Sequence, residues 1–319
     1  MELFIEKEFL ENFYREVNIE NPSNEEDILI NMLSDYGDKT VYIDYKVTTH
    51  DELEKLKEDN PYFALIFNTS YPIEIDSFEE HFKNKNIYSR SIVLMNKEQV
   101  WFDELRQKGV LCFSFENYKS ELKKLLSILN IKIDLSVGFS GWDCLKKLNE
   151  VPSDKIIITD NYIIIDKDKQ KIEDNLAPLL KKIIPTQHKE IQLDIFTKEF
   201  NEKPKGDFLK VKEKAKKAYN KIKNGLEGFI NVKHTIYSLE HARDFDFHGR
   251  GIITNYYYLN TGKGFNLMPS KKSNEEIRCD SIFDKYGYDR IKNLEKGIED
   301  YKKKLDKIET RFKYFTEHL

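Results

Sequence analysis

The stretch HARDFDFHGRGIITNYYYLNTGKGFN, residues 241–266, holds two of the seven histidines and four of the thirteen glycines of this 319-residue chain. Its apolar run GIITNYYYL predicts a β-strand, because β-branched and aromatic residues favour strands. Side chains two residues apart share one face of a strand, so His248 and Arg250 are expected to project together. A guanidinium group binds two phosphate oxygens at once, so this pair is suited to holding a phosphate group.

A purely structural interpretation of the same stretch stays open. Arg250 can pair with Asp244 or Asp246, and His241 can cap or pack at a turn. The apolar run is good strand material whatever its function. Neither GxxxxGK[ST] nor GxGxxG occurs, so the sequence does not support a nucleotide-binding loop of either kind.

The order of residues here resembles the HKD signature of the phospholipase D superfamily. That signature places Lys two residues and Asp seven residues after a His, ahead of a glycine-rich turn. The sequence is more similar still to the phospholipase-D-like C-terminal domain of MIT-domain proteins. The matching segments are DNYII (160–164), HGRGIITN (248–255) and GKGFN (262–266), so the resemblance covers about residues 154–267, a third of the chain.

This resemblance implies a set of functional residues and no cofactor at their site. The implied catalytic residues are His248, Arg250 and Asn255. The implied phosphate-binding residues are Arg250, Lys263, Gly262 and Gly264. The implied supporting residues behind them are Asp160, Tyr162 and His241.

The sequence departs from the signature in three ways. Arg250 stands where Lys is expected, Asn255 stands where Asp is expected, and no second HxK motif is present. A neutral amide stabilises an imidazolium ion less well than a carboxylate does. We therefore expect a degenerate phosphodiesterase or nuclease site that binds phosphate and is slow or inactive. The MIT-protein domain is itself regarded as a non-catalytic, dimeric phosphoinositide binder, which the resemblance extends to this chain as an expectation.

Residues 1–130 alternate short apolar strands with helices, which predicts a parallel α/β sheet of four or five strands. The predicted strands are LFI (3–5), VYIDYK (41–46), YFALIFN (62–68), SIVLMN (91–96) and VLCFSF (110–115). A Rossmann-like fold fits this pattern, and so does a PIN-like nuclease fold, which the opening LFIEKEFLENF faintly resembles.

The PIN-like resemblance implies a divalent metal held by carboxylates at strand ends. The candidate ligands are Glu6, Asp44 and Asp103. Glu6 stands where that family has Asp, and SIVLMN lacks the expected acidic residue. With 56 acidic residues in the chain, three carboxylates at strand ends also arise by chance.

Residues 131–270 are predicted to form the second, phospholipase-D-like α/β domain. Its predicted strands include KIIITDNYIIID (155–166), EIQLDIFT (190–197) and FINVKHTIY (229–237), with a long lysine-rich helix before the last. Residues 271–319 are predicted to be a helical tail. An a/d heptad pattern there predicts either a coiled-coil homodimer or partner contact through 291–315, or a helix packed on its own domain. The pattern comprises Ile291, Leu294, Ile298, Tyr301, Leu305, Ile308, Phe312 and Phe315.

Charge and composition narrow the class of partner. Residues 201–319 carry 26 basic and 18 acidic side chains, net +8, whereas residues 1–200 carry 26 and 38, net −12. A basic half of this kind often meets polyanions, although lysines alternating with glutamates along helices also form ordinary solvated faces.

No apolar run reaches the length of a membrane span, and the start lacks the apolar core of a signal peptide. The three cysteines are scattered, so we expect a cytoplasmic chain without a structural zinc site.

Taken together, the sequence predicts a protein that acts on or binds phosphodiesters, foremost nucleic acid. The combination of domains suggests a host-defence or toxin-type role by analogy at the level of the fold. The alternative is a non-catalytic dimeric subunit that binds phosphate, anionic lipid or a partner protein.

Overall fold

A computed structural model of the chain describes residues 1–83, 90–160, 163, 171–185, 190–198, 208–227, 232–239, 250–262, 264–268, 272–307 and 314–317. The chain divides into two compact units. The first comprises Met1–Ser127 with Phe283–Tyr288, and the second comprises Ile128–Ile282 with Asp289–Leu319.

The first unit is a parallel α/β sheet, as the sequence predicted. Its strands lie in the order β3-β2-β1-β4-β5, and every neighbouring pair is parallel. The strands are β1 (Glu2–Ile5), β2 (Thr40–Ile43), β3 (Ile73–Glu74), β4 (Ser91–Met95) and β5 (Leu111–Ser114). The helices are α1 (Lys7–Glu16), α2 (Asn24–Ser34), α3 (His50–Asp59), α4 (Pro61–Thr69), α5 (Phe78–Lys83), α6 (Phe102–Arg106) and α7 (Tyr118–Leu129).

Both faces of this sheet are buried. Leu3, Phe4 and Ile5 are each at most 1% exposed although successive strand residues point to opposite faces. Phe4 packs in one apolar cluster with Phe78 and Phe82 of α5. A sheet covered on both faces needs continuous apolar strands, which explains why β1, β4 and β5 read as apolar runs and not as alternating patterns.

The predicted strand at 62–68 is wrong, because this segment forms helix α4. Asn60 caps the helix by accepting a hydrogen bond from the Tyr62 amide at 2.9 Å, and Pro61 occupies the first turn. Proline at that position is favoured, since its missing N–H has no partner in a helix anyway. A short apolar run fits a buried strand and a buried helix equally well, so the Asn-Pro pair was the informative signal.

The second unit is built on an eight-stranded mixed sheet in the order β13-β9-β8-β7-β10-β11-β12-β6. Strands β7, β8 and β9 are parallel to one another, and the other neighbouring pairs are antiparallel. The strands are β6 (Lys132–Asp134), β7 (Lys155–Thr159), β8 (Ile191–Lys198), β9 (Val232–Leu239), β10 (Gly251–Thr254), β11 (Tyr257–Asn260), β12 (Glu276–Ser281) and β13 (Tyr314–Glu317). The helices are a 3-10 helix (Trp142–Glu150), a π-helical segment (Ile172–Leu176), α8 (Ala177–Ile183), α9 (Phe208–Gly225) and α10 (Lys285–Lys307), the last from Asp289 onward. Within the described ranges, none of the helices combines the length and the apolar character that crossing a bilayer requires.

The run GIITNYYYL is a hairpin and not one strand. Strands β10 and β11 pair antiparallel, with Gly251 opposite Asn260, and Asn255 and Tyr256 form the connection. The Thr254 hydroxyl accepts hydrogen bonds from the amides of Tyr256 and Tyr257, at 3.4 and 3.3 Å. Short polar side chains that bind nearby backbone amides favour turns, and this Thr-Asn pair therefore breaks the strand without a glycine.

The predicted helical tail is wrong in two places. Residues 276–281 form strand β12, and residues 314–317 form strand β13, which pairs with β9 and contains Phe315. Of the heptad positions in α10 whose burial is described, Ile291, Ile298 and Tyr301 are buried within the chain itself and Leu294 is half-buried. Ile308 and Phe312 lie outside the described residues. The heptad pattern therefore reflects, at least over this helix, packing within the chain.

Ile298→Asp tests this assignment of the heptad. Ile298 is 2% exposed, so a carboxylate there is expected to cost about 3 kcal/mol of unfolding free energy or more, because an unpaired charge replaces a core side chain. Urea unfolding measures the free energy of unfolding of wild type and variant, and light scattering measures their mass in solution. A variant of unchanged stability that loses a dimeric mass would restore the coiled-coil interpretation.

A buried ion pair joins α10 to the middle of the second sheet. Lys302 Nζ lies 2.6 Å from Asp194 Oδ2, and the Asp194 side chain is fully buried on β8. Gln192 donates to both carboxylate oxygens at 3.2 Å, and the ammonium group lies 4.9 Å from the ring centroid of Tyr237. Burial alone would lower the pKa of Lys302, but Asp194 raises it above its ordinary value. The pair fixes the position of α10 on the sheet.

Lys302→Met should therefore destabilise the chain by about 3 kcal/mol, because it leaves the Asp194 carboxylate buried without its cation. The double variant Asp194→Asn/Lys302→Met removes both charges and is expected to recover much of that loss. Urea denaturation of the three proteins gives the comparison. If the single variant lies within about 0.5 kcal/mol of wild type, the pair does not stabilise α10.

Candidate functional site

Asp160 and Arg250 meet at one end of the β7–β10 pair. Gly251 pairs with Thr159, so the residue after β7 and the residue before β10 lie at the same end of the two strands. A Cβ atom built on Gly264 would collide with Oδ2 of Asp160 and would lie 3.1 Å from Cδ of Arg250. Asp160 is 5% exposed, and its Oδ2 accepts a hydrogen bond from the Phe265 amide at 3.3 Å. The structure thus brings Asp160, Arg250 and Gly264 together.

The two loop glycines lie against carboxylates. Gly262 and Gly264 have φ of +58° and +90°, a region that side chains disfavour. A Cβ on Gly262 would collide with Oε2 of Glu275, as one on Gly264 would with Asp160. A phosphate group at this loop would face both negative charges. The expected open cradle for an anion at Gly262 and Gly264 is therefore not what the described residues form.

Asn255 lies at the other end of β10 from Arg250. Five residues of extended chain separate their Cα atoms by roughly 16 Å. The Asn255 side chain is committed elsewhere: Oδ1 accepts from Ser153 Oγ at 2.8 Å and from the Lys155 amide at 3.2 Å, and Nδ2 donates to Asp154 Oδ1 at 2.8 Å. At 4% exposure it is closed off from solvent. Asn255 therefore fastens the hairpin turn to the start of β7, and it is not placed to assist Arg250.

Four of the sequence-predicted residues, His241, His248, Lys263 and Tyr162, lie outside the described residues. Their roles rest on the sequence alone, and the chemistry of His248 stays a prediction.

The Asp154 carboxyl group beside Asn255 has a strongly raised pKa. Burial raises its pKa to about 7, although the hydrogen bond from Asn255 acts to lower it. Asp154 is 5% exposed. The group therefore titrates near neutral pH inside the fold.

Because folding raises the pKa of Asp154, the folded chain holds this proton more tightly than the unfolded chain does. The stability that protonated Asp154 adds to the fold is present in full below the pKa of the unfolded chain, near 4. It is lost as pH rises to the pKa of the folded chain, about 7. The wild type should lose up to roughly 4 kcal/mol of unfolding free energy between pH 4 and pH 8 through this group, and Asp154→Asn should not. Urea unfolding at several pH values compares wild type and variant. Parallel pH profiles of the two proteins would show that another group titrates.

In the first unit, Glu6 and Asp44 follow β1 and β2 at the carboxyl edge of the sheet. The Asn96 amide donates to Glu6 Oε2, and the Lys7 amide donates to Asp44 Oδ1 at 2.9 Å. Burial raises the pKa of Glu6, and Asp44 raises it further. Burial also raises the pKa of Asp44. The edge between β1 and β4 is the point where the strand order reverses, a common ligand position in such sheets.

Asp103 does not complete a metal site with these two carboxylates. It lies on α6, where Oδ1 pairs with Nη1 of Arg106 at 2.9 Å. Over the ranges that the structure describes, no group of three His, Cys, Asp or Glu side chains is arranged to hold a metal ion. The side chain that approaches from β4 is Asn96, which accepts from Asn12 at 2.8 Å. The described residues of this edge therefore do not fit the metal that the PIN-like resemblance implied.

A basic groove between α8 and α9 is the feature that sequence reasoning missed. It encloses about 450 Å³ and is lined by Glu173, Ala177, Pro178, Lys181, Lys182, Lys221, Asn224 and Gly225. The helices approach closely at its floor, where a Cβ on Gly225 would collide with Ala177. Lys221 pairs with Glu173 at 2.7 Å, and Lys182 pairs with Asp143 at 2.5 Å. The available signal was the Lys181-Lys182 pair, but only the fold shows that α9 faces it.

Helix α9 adds a strong positive charge beside this groove. Its 18 residues contain seven lysines and one glutamate. Ala218, Tyr219 and Ile222 are buried and hold one face against the unit, while Lys216, Lys217 and Lys223 are exposed.

No protein-family model matches the chain, and no curated protein is significantly similar to it in sequence.

Proposed function

We propose that the chain is a phosphodiester-directed protein whose second unit binds nucleic acid through its phosphate groups. The observation that carries the proposal is the charge of α9, which is +6 over 18 residues on a helix whose apolar face is buried in the unit. Four of the lysines recur at spacings of 4, 3 and 4 residues and so share one face of the helix. They are Lys210, Lys214, Lys217 and Lys221.

A row of this kind suits a polyanion better than a single phosphate ion. From Lys210 to Lys221 the helix rises about 16 Å, at about 1.5 Å per residue. Duplex DNA carries one charge per about 1.7 Å of its axis, so several phosphates fall within that length. Each lysine that neutralises a phosphate releases a condensed counterion, which makes the affinity strongly dependent on salt.

Binding without catalysis is the form of the proposal that the described contacts support. Arg250 lies beside the Asp160 carboxylate, whose charge opposes a phosphate there, and Asn255 is too distant to act with Arg250. Catalysis would depend on His248, whose role rests on the resemblance to the HKD signature.

Two assays on the full chain test the proposal. Fluorescence anisotropy with labelled nucleic acid should show affinity that falls at least tenfold between 50 and 200 mM salt, as expected for several phosphate contacts. A nuclease assay with wild type and His248→Ala should show no difference between them. Salt-independent binding, or no binding, would contradict nucleic-acid recognition. Cleavage that disappears with His248→Ala would instead establish an active HKD-like site.

A further inference from the structure

The lysines of α9 fall on two flanks of the helix. The sequence spacing of Lys210, Lys214, Lys217 and Lys221 puts these four positions on one face of the helix, which we call the groove stripe because Lys221 lines the groove with α8. By the same helical spacing, Lys212, Lys216 and Lys223 share a second face of the helix, which we call the outer stripe. The two stripes carry nearly equal charge on one helix, so position and not charge distinguishes them.

The groove holds cations that are only partly neutralised. Lys181 is exposed and has no carboxylate partner among the described residues, whereas Lys182 and Lys221 pair with Asp143 and Glu173. The side chains of both pairs are partly exposed to solvent, and exposed ion pairs contribute little to stability. An incoming phosphate group can therefore replace either carboxylate at small cost.

We infer that the groove between α8 and α9 holds the phosphate backbone of a double-stranded nucleic acid, and that Glu173 competes with that backbone for Lys221. The inference rests on the proposed function and names its substrate class and its position. Glu173 lines the groove and is the carboxylate nearest to Lys221, with Oε1 2.7 Å from the ammonium group. A phosphate that approaches Lys221 thus meets a like charge, which lowers the affinity of the groove.

The surface around the groove favours a duplex over a single strand and over a membrane. Proteins that bind single strands stack bases on exposed aromatic rings. Membrane-surface helices bury an apolar face in the lipid. Among the described side chains of α8 and those of residues 213 and 216–225 in α9, no large hydrophobic side chain is exposed. A surface that offers lysines without rings reads the phosphate backbone, which a duplex presents at the highest density.

The test compares two triple variants of the full chain that each remove three lysines from α9. Lys214→Ala/Lys217→Ala/Lys221→Ala alters the groove stripe, and Lys212→Ala/Lys216→Ala/Lys223→Ala alters the outer stripe. Anisotropy with a 20-base-pair DNA duplex should show at least a tenfold weaker affinity for the first and less than a threefold change for the second. The salt slope of the first should fall by about two to three, since each lost phosphate contact lowers it by about 0.9.

A gain-of-affinity variant excludes misfolding as the explanation. Glu173→Gln should tighten duplex binding about three- to fivefold, because Lys221 is then released to the phosphate. Asp174→Asn is the matched control, since Asp174 is the neighbouring exposed carboxylate and does not line the groove. It should leave the affinity unchanged.

The outcomes separate the inference from the proposed function. Equal weakening by the two triple variants, or no gain of affinity with Glu173→Gln, would contradict binding in the groove. Either result would leave nucleic-acid binding by α9 intact. Tighter binding of the matching single strand would overturn the duplex. Binding only to phosphatidylserine vesicles, with no affinity for either nucleic acid, would overturn both.

Discussion

The antiparallel pairing of β10 with β7 is the constraint on which the second unit depends. It joins the three parallel strands β7, β8 and β9 to the hairpin and the strands beyond it. A one-residue slip of β10 would turn Ile252 and Ile253, both buried, to the wrong faces of the sheet. Side chains at both ends hold this register. Asp160 binds the loop that follows the hairpin at one end, and Asn255 binds the residues before β7 at the other.

Regular patterns in the sequence predicted much of the fold, and local polar signals decided where the prediction failed. The parallel sheet of the first unit follows from apolar runs at regular spacing, since a sheet buried on both faces requires them. Helix α4 was missed because its apolar composition equally suits a strand, while the Asn60 cap and Pro61 determine the helix. The hairpin was missed because no glycine marks it, and the Thr254 hydroxyl makes the turn instead. In α10 the heptad pattern was real, but such periodicity does not say which surface the stripe meets.

Some of the residues named from the sequence are neighbours both in the sequence and in space, whereas the groove joins residues that are distant in the sequence. Arg250 and the loop glycines lie within fifteen residues of one another, and the structure does bring Gly264 to Arg250. The groove escaped prediction because Lys181 and Lys221 lie forty residues apart and meet only when two helices pack side by side. Counting charges identified the basic half of the chain, but a count does not say where each side chain lies in space. It therefore could not place the acidic Glu173 within the basic groove.

Asn255 carries the clearest lesson about comparing a residue with a motif. Against the HKD signature it stands where a catalytic aspartate is expected, so it looks like a lost function. Its contacts give it a reason of its own: Nδ2 donates to the Asp154 carboxylate at 2.8 Å, while Oδ1 accepts from Ser153 and from the Lys155 amide. An amide side chain meets both demands at once, because its oxygen accepts and its nitrogen donates. An aspartate at 255 would set two carboxyl groups against each other in a buried place, where the pKa of Asp154 is already raised to about 7, chiefly by burial. The asparagine is therefore a residue that the junction of β7 with the hairpin turn itself accounts for.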